Sequence, residues 1–284
     1  MILDSTAITR LQALLDESVG EQGRLAEAAL LIAQMLNAEL DVIAYLRQLD
    51  DWAAYLKSRI ADMGDDATDR IECLNQFLFD ELGFAGDGDN YYDEKNSFLN
   101  TVIDRRLGLP ITLSVIYIEL GRRIGLPLQG VSFPGHFLVI LPLSRGVVVL
   151  DPYSEGASLE MADLEKLLFH AQPDRAWDPR QIEYLLEPAT TRDILVRMLR
   201  NLKGIYWDAK DIINAIWVQD LILIIDQELA EERRDRGILR EQAGHYKSAV
   251  QDFTDYLEQR PNAVDAELIR ARMVDLSNHK RQLH

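Results

Sequence analysis

The sequence predicts an α+β protein in which a small antiparallel sheet lies between two helical regions. Apolar residues recur at helical spacing over residues 4–36 and again over residues 192–225. Between these regions, short apolar runs at residues 127–133, 136–141 and 146–150 are separated by Pro-Gly and Ser-Arg-Gly turn signals. A period near 3.6 residues is typical of helices, and short apolar runs bounded by turn residues are typical of strands.

The composition of the chain argues against several classes of protein, namely disulfide-linked, zinc-binding, nucleic-acid-binding and membrane-spanning proteins. The chain has 284 residues, 48% of them hydrophobic, which is enough to bury one large core or two modest ones. Its single cysteine, Cys73, excludes an intramolecular disulfide and a cysteine-rich zinc site. A net charge of −17 repels a phosphate backbone, so we expect no direct nucleic-acid binding. The sequence shows no apolar run of membrane-spanning length and no basic leader, and we expect a cytoplasmic protein without cofactor or metal.

The first region is predicted to be helical throughout. Two amphipathic helices are expected within residues 4–36, with a break around Gly20, and a third helix is expected to begin near Leu40. A longer helix with a polar face passes through residues 52–60, and another covers residues 69–82. This last helix carries Cys73 on its inner face, where a free cysteine is usually a small buried hydrophobic residue.

The acidic segment at residues 87–93, DGDNYYD, begins with the aspartate spacing of an EF-hand. The later positions do not fit a calcium site, because Tyr92 stands where the loop needs glycine and Phe98 where it needs a bidentate glutamate. We interpret the segment as a solvated turn that leads to a helix capped by Asn96.

Pro110 is predicted to be the first residue of a buried helix. Proline is favoured at that position because its missing N–H is not needed there. Apolar residues 113–124 continue the helix, which ends near Gly125. After the three strands, a helix is expected at residues 161–170 and a further strand at residues 181–186.

The motifs around this helix resemble the transglutaminase-like, papain-related superfamily. In that superfamily a cysteine lies at a helix N-terminus, followed by Gly-Ile-Pro, then a histidine on a strand and Asp-Pro on the next strand. Here Gly125-Leu126-Pro127, His136 and Asp151-Pro152 match the later elements, and counting back from Gly125 places the cysteine position at Pro110. The stretch NSFLNTVIDRRLGLPITLSVIYIELGRRIGLPLQGVSFPGHFLVI is similar to bacterial SirB-type proteins, in which proline is usual at this position.

This resemblance implies a degenerate catalytic triad. In a working site, the helix N-terminus and the histidine favour the thiolate, and the aspartate orients the histidine. Proline has no nucleophilic atom, so the resemblance implies a pseudoenzyme in which His136 and Asp151 lack their partner. Ser114 is the better substitute nucleophile, ahead of Thr112 and Cys73.

Three interpretations of His136 and Asp151 remain open. The two side chains form a retained structural pair, they line a pocket for a ligand or peptide, or they support residual catalysis. A structural pair is favoured, because histidine–aspartate pairing can survive the loss of the thiol.

The last third of the chain carries a tetratricopeptide-like pattern. The matching small, aromatic and proline positions are Gly237, Tyr246, Ala249, Phe253 and Pro261. Arg233 and Arg236 depart from the pattern, because they stand where an aromatic residue and a leucine are expected. These helices either form repeats or complete the protein's own core.

The charged segment at residues 228–240, ELAEERRDRGILR, mixes both signs at helical spacing. We interpret it as a salt-bridged solvent face. A second possibility is that its four arginines bind a partner peptide that carries carboxylates; these are Arg233, Arg234, Arg236 and Arg240.

Together these features predict two domains and a function in protein interaction. A transglutaminase-like domain with a helical N-terminal region covers residues 1–190, and tetratricopeptide-like helices cover residues 191–284. The predicted function is non-catalytic protein–protein interaction or regulation, with a protein or peptide as partner. The alternative is a cryptic hydrolase or amidase that uses His136 and Asp151 with Ser114 or water. A third possibility is that only the fold has been retained.

Overall fold

The structure is a computed structural model that describes residues 5–15, 24–64 and 66–282. The described residues form two compact units, one that ends at Met198 and one that begins at Leu199. The predicted fold class is confirmed, because helices predominate and the main sheet is small and antiparallel. The predicted domain division after residue 190 remains a prediction.

Helices make up most of the first unit. Their bounds are α1 (Ser5–Leu14), α2 (Arg24–Leu36), α3 (Val42–Ile60), α4 (Ala67–Asn75), α5 (Leu99–Arg105), α6 (Pro110–Arg123), α7 (Met161–Ala171), α8 (Pro179–Tyr184) and α9 (Thr191–Asp208). A π-helical segment, Gln76–Glu81, continues α4, and two short 3₁₀ helices occupy Glu94–Asn96 and Pro152–Ser154. The strands are β1 (Ala85–Gly86), β2 (Leu107–Gly108), β3 (Gln129–Val131), β4 (Leu138–Pro142), β5 (Val147–Asp151) and β6 (Ala157–Leu159).

Several local predictions are wrong. The strand expected at residues 181–186 is helix α8, because Asp178 caps its N-terminus and Pro179 occupies its first position. The two helices expected near Leu40 and residues 52–60 are the single helix α3. The break expected around Gly20 lies outside the described residues.

Asn96 does not cap α5, whose N-cap is Phe98. Asn96 is instead fully buried: its amide donates to the Asn90 carbonyl, and its side-chain oxygen accepts from Arg105. The turn before it is not solvated at Asp87, which is buried and paired with Arg105. The acidic composition of the segment led to the prediction of a solvated turn, whereas Asp87 and Asn96 are buried and hydrogen-bonded.

The main sheet has the order β3-β4-β5-β6, with every neighbouring pair antiparallel. One face packs against α7 and α8 in a core cluster that includes Leu138, Ile140 and Val149. Because side chains alternate along a strand, Val139, Leu141, Val148 and Leu150 lie on the opposite face. Helix α6, which contacts β3 and β4, covers part of this second face.

The unit that begins at Leu199 consists of the last part of α9 and four further helices. These are α10 (Ile212–Ile225), α11 (Ala230–Gln242), α12 (Tyr246–Gln259) and α13 (Ala266–Gln282). The positions that indicated a repeat pack together: Phe253 is fully buried, and a Cβ atom on Gly237 would lie 2.5 Å from its ring. Glycine at this position therefore allows α11 and α12 to approach each other closely.

The charged segment on α11 is not a solvent face, because its charges pair with other helices. Arg236 and Arg240 both contact the buried carboxylate of Asp252 and the carboxylate of Asp220. Glu232 is also buried and accepts from Arg200, Lys203 and Gln219. The remaining arginine pairs are Arg233 with Asp255, and Arg234 with Asp235 and Asp265.

The close approach at Gly237 can be tested by adding one methyl group. Alanine is intrinsically better than glycine in a helix by about 1 kcal/mol. We nevertheless expect Gly237→Ala to lower the free energy of unfolding by about 1–3 kcal/mol, because the new Cβ overpacks the Phe253 ring. Urea unfolding followed by circular dichroism measures the difference.

Gly204→Ala in α9 is the matched control, because Gly204 is exposed and a Cβ atom added there would meet nothing within 4 Å. We expect this substitution to raise the stability by up to about 1 kcal/mol. Equal effects of the two substitutions would show that Gly237 is not required for the packing of α11 on α12.

Candidate functional site

The N-terminus of α6 carries Pro110, the residue that the superfamily resemblance predicts at the cysteine position. Pro110 is the first residue of the helix and is buried. The Leu109 N–H donates to Thr112 Oγ1 at 2.9 Å, and the Thr112 hydroxyl donates to the Asn96 carbonyl at 2.9 Å. Because Thr112 closes the first turn in this way, its hydroxyl is occupied by structural hydrogen bonds.

The segment before Pro110 is held by a short parallel pair, β1 with β2. Gly86 in β1 lies against Tyr153, since a Cβ atom at this position would be 2.3 Å from the tyrosine ring. Tyr153 follows Asp151 and also makes an edge-to-face contact with His136, with 6.0 Å between the ring centroids. Tyr153 therefore connects the β1 segment to the histidine.

His136 and Asp151 are hydrogen-bonded to each other. The distance from His136 Nε2 to Asp151 Oδ1 is 2.9 Å, and both side chains are largely buried. Asp151 is the last residue of β5, whereas His136 lies in the turn before β4, two residues ahead of the strand. The structure thus brings together the two residues that the motif singled out.

Asp151 makes more hydrogen bonds than the pairing with His136 requires. Its Oδ1 also accepts from the Tyr153 N–H at 3.0 Å, and its Oδ2 accepts from the Ser154 hydroxyl at 2.9 Å. Burial by itself raises the pKa of Asp151, but the interactions with His136, Ser154 and Tyr153 outweigh it and hold the pKa below its usual value. The carboxylate therefore stabilises the 3₁₀ turn that follows β5.

The turn that carries His136 is fixed by Arg197 of α9. One guanidinium nitrogen, Nη2, donates to the carbonyl oxygens of Phe133 and His136. The guanidinium also lies 5.6 Å from the centre of the Phe137 ring, and burial lowers the pKa of Arg197. Sequence reasoning missed this residue, because it lies 61 positions from His136 in an ordinary amphipathic helix.

The other candidate nucleophiles are placed poorly for attack. Ser114 is fully buried on α6, and its Oγ makes no hydrogen bond to any residue in the described part of the chain. Cys73 is buried on α4. The side-chain hydrogen bond of His136 goes to Asp151, so neither Ser114 nor Cys73 has the contact to a base that activates a nucleophile.

In the part of the chain that the structure describes, the imidazole of His136 is oriented by Asp151, and its side-chain hydrogen bond goes to this carboxylate and not to a hydroxyl or thiol. Such a pair can accept or donate a proton, but covalent catalysis also needs a nucleophile within hydrogen-bond reach of the base. Within residues 5–15, 24–64 and 66–282, no cluster of three or more His, Cys, Asp or Glu side chains is placed to hold a metal ion. Over the same ranges, no helix is long and apolar enough to cross a membrane.

Comparison with known proteins agrees with this architecture. A profile of the transglutaminase-like superfamily matches residues 43–200, and a tetratricopeptide repeat profile matches residues 202–274. F-box only protein 21 of Homo sapiens is 37% identical over 93 residues, which cover 33% of this chain and 13% of that protein.

Two relatives match nearly the whole chain. A UPF0162 protein of Xylella fastidiosa is 41% identical over 263 residues, 92% of each chain. A UPF0162 protein of Vibrio cholerae is 28% identical over 263 residues, 89% of this chain and 93% of its own. The predicted resemblance to SirB-type proteins is confirmed. The chain therefore belongs to the transglutaminase-like superfamily and, within it, to the family of the UPF0162 proteins, with tetratricopeptide repeats in its last third.

Proposed function

We propose that this protein is a non-catalytic member of its superfamily that acts by binding other proteins. The observation that carries the proposal is the buried Pro110 at the first position of α6, where the superfamily motif has its nucleophile. Thr112 is engaged in the first turn and Ser114 is buried without a base beside it, so neither replaces the thiol.

The His136–Asp151 pair has a structural function under this proposal. Asp151 accepts hydrogen bonds from the histidine, from Ser154 and from the Tyr153 N–H, which joins the turn before β4 to the turn after β5. Removing a partner from such a buried network leaves polar groups unsatisfied, at a cost of about 1–3 kcal/mol each. Retention of the pair is thus explained by stability, without chemistry.

Binding to a protein is supported by an apolar stripe on the outer face of α13 and the residue that leads into it. The exposed side chains of this stripe are Val264, Leu268, Ala271 and Val274. Terminal helices of repeat arrays usually have a polar outer face, because nothing covers them. An apolar stripe on the last helix of the described chain favours contact with another protein.

The ion pairs of α11 argue against an acidic peptide as the partner of this helix. Each of the four arginines that suggested a carboxylate-binding surface already pairs with a carboxylate of this chain. Binding an acidic peptide there would first require these ion pairs to break. We therefore do not propose an acidic peptide as the ligand of this helix.

The competing function is a cryptic hydrolase or amidase in which His136 and Asp151 activate water. We expect the full-length protein to show no turnover above background on a panel of glutamine-donor, peptide and amide substrates. Turnover that disappears in His136→Ala would show that the pair is catalytic, and sensitivity to Ser114→Ala would identify the serine as its nucleophile.

If Asp151 has a structural function, the stability of the protein should depend on pH through this carboxyl group. Because its folded-state pKa is depressed, the carboxylate contributes stability above its unfolded pKa of about 3.9, and this contribution is lost as the pH falls through the lower folded value. We expect Asp151→Asn to be about 1–2 kcal/mol less stable than the native protein at pH 7. The difference should shrink below about pH 4.

Urea unfolding at a series of pH values measures both quantities. Asp62→Asn is the control, because Asp62 is exposed in the turn after α3. A stability difference for Asp151→Asn that stays constant into acid would mean that the charged carboxylate does not stabilise the fold.

The α13 face predicts which substitutions abolish partner binding. We expect Leu268→Glu combined with Val274→Glu to lose the proteins that the native chain captures from a bacterial lysate, because charges replace the apolar contact. Ser248→Glu combined with Asn262→Glu adds the same charge at other exposed positions and should retain them. Sedimentation of each variant shows whether the lost partner is a second copy of the chain. Equal capture by both double variants would exclude α13 as the binding surface.

A further inference from the structure

A groove in the first unit lies between α4 and the sheet face that α6 leaves partly uncovered. Its volume is about 690 Å³. Helix α4 forms one wall through residues that include Ile71, and the ends of β4 and β5 and the corner before β6 form the other. A volume in this range is typical of sites that bind small molecules or peptide side chains.

The floor and one wall of the groove are apolar. Leu141 and Leu150 form the floor and are buried, whereas Leu143, which directly follows β4, remains 49% exposed. Val148 lies beside them on the same face of the sheet, because it is the cross-strand partner of Leu141. The apolar surface that remains accessible belongs to Leu143 and, in part, to Val148, and an apolar side chain that entered the groove would remove it from water.

The charges at the groove have one sign. Among the described residues that line it, the ionisable side chains are the carboxylates of Asp66, Glu72 and Glu155. Asp66 caps α4 by accepting from the Thr68 N–H, while Glu72 and Glu155 are exposed. An occupant that combines positive charge with apolar surface is complementary to this lining.

The corner that carries Glu155 has a defined backbone conformation. Its backbone is left-handed, with φ of 55°, a conformation that glycine or asparagine adopts at lower cost. The corner is held in place because Asn75 Nδ2 donates to the Gly156 carbonyl at 3.2 Å, and Asn75 Oδ1 accepts from the Tyr117 hydroxyl at 2.7 Å. These bonds fix the position of the Glu155 backbone at the edge of the groove.

We propose that this groove binds a peptide segment of a partner protein in which Lys or Arg alternates with aliphatic side chains. The apolar side chains pack on Leu143 and Val148 between α4 and the sheet, and the cationic groups meet Glu72 and Glu155. The site is separate from the α13 face and does not use the imidazole of His136. The inference therefore stands whether or not the function proposed for α13 is correct.

A fluorescein-labelled peptide, acetyl-GLKLRLG-amide, tests the proposal with the full-length protein. We expect saturable binding in fluorescence anisotropy, and weaker binding at higher salt because the cationic contacts are exposed. Two companion peptides separate the contribution of charge from that of apolar contact. GLELELG reverses the charge, and GSKSRSG removes the apolar side chains. Both should bind far more weakly than the first peptide.

Variants of the groove distinguish a site from general attraction to an acidic protein. We expect Glu72→Gln combined with Glu155→Asn to weaken the peptide roughly fivefold or more. Asparagine tolerates the left-handed corner, so this variant should melt no lower than the native protein. Glu165→Gln combined with Glu183→Gln removes the same charge from exposed positions on α7 and α8 and should leave the affinity unchanged. Leu143→Ser should weaken binding without unfolding the chain.

Four results would overturn the inference. The first is an absence of saturable binding up to about 1 mM peptide. The second is an equal loss of affinity in the groove variant and in the control variant, which would indicate non-specific electrostatic attraction. The third is hexylamine binding as tightly as the peptide, which would assign the groove to a small cationic amphiphile. Loss of binding in the Leu268→Glu, Val274→Glu variant alone would place the peptide on α13 instead.

Discussion

The burial of α6 is the constraint on which the rest of the first unit depends. Every residue from Pro110 to Gly121 is buried, and α2, α3, α4, α5 and the sheet all contact this helix. Two of its polar groups are satisfied by specific partners: Glu119 accepts from the Ala26 N–H and from Arg123, and the Tyr117 hydroxyl donates to Asn75. Since buried polar groups without partners are costly, these contacts fix how the surrounding elements pack on α6.

Helix α6 also shows how proline can stand at the start of this helix without disturbing the elements around it. A thiol at the first position of α6 would gain from the helix dipole and from free N–H groups. Proline at that position keeps the helix start favourable, because the missing N–H is one that the helix does not use. The histidine and aspartate are then held by contacts that do not involve a nucleophile, namely Arg197 at the His136 turn and the Ser154 and Tyr153 bonds to Asp151. These contacts do not depend on which residue begins α6.

The sequence predicted features that depend on local patterns, and it failed where distant residues decide the structure. Helix α6 and strands β3, β4 and β5 follow from proline and turn signals that lie within a few residues, and the pair α11 and α12 follows from the tetratricopeptide-like pattern. Arg197 and Asn75 were missed, because their partners lie far away in the chain and neither residue belongs to a recognisable motif. On α11 the sequence predicted a feature that is not present: charges at helical spacing indicated a solvent face, but most of them are paired with other residues of the chain. That Asp252 of α12 is buried can only be recognised once α11 is known to place Arg236 and Arg240 beside it.

Because many arginines pair with carboxylates of the same chain, the unpaired charge of the protein is mostly negative. The chain carries 30 Lys and Arg residues against 47 Asp and Glu residues, and the described ion pairs engage much of the smaller, positive group. The charge left for partners is therefore carried mainly by carboxylates, as at Glu72 and Glu155. Like charges repel across an interface at a cost of several kcal/mol, so acidic partners are disfavoured at such surfaces. Exposed apolar side chains beside these carboxylates, such as Leu143, add apolar contact area to the electrostatic attraction. A surface that is complementary to these groups would therefore combine basic and apolar side chains.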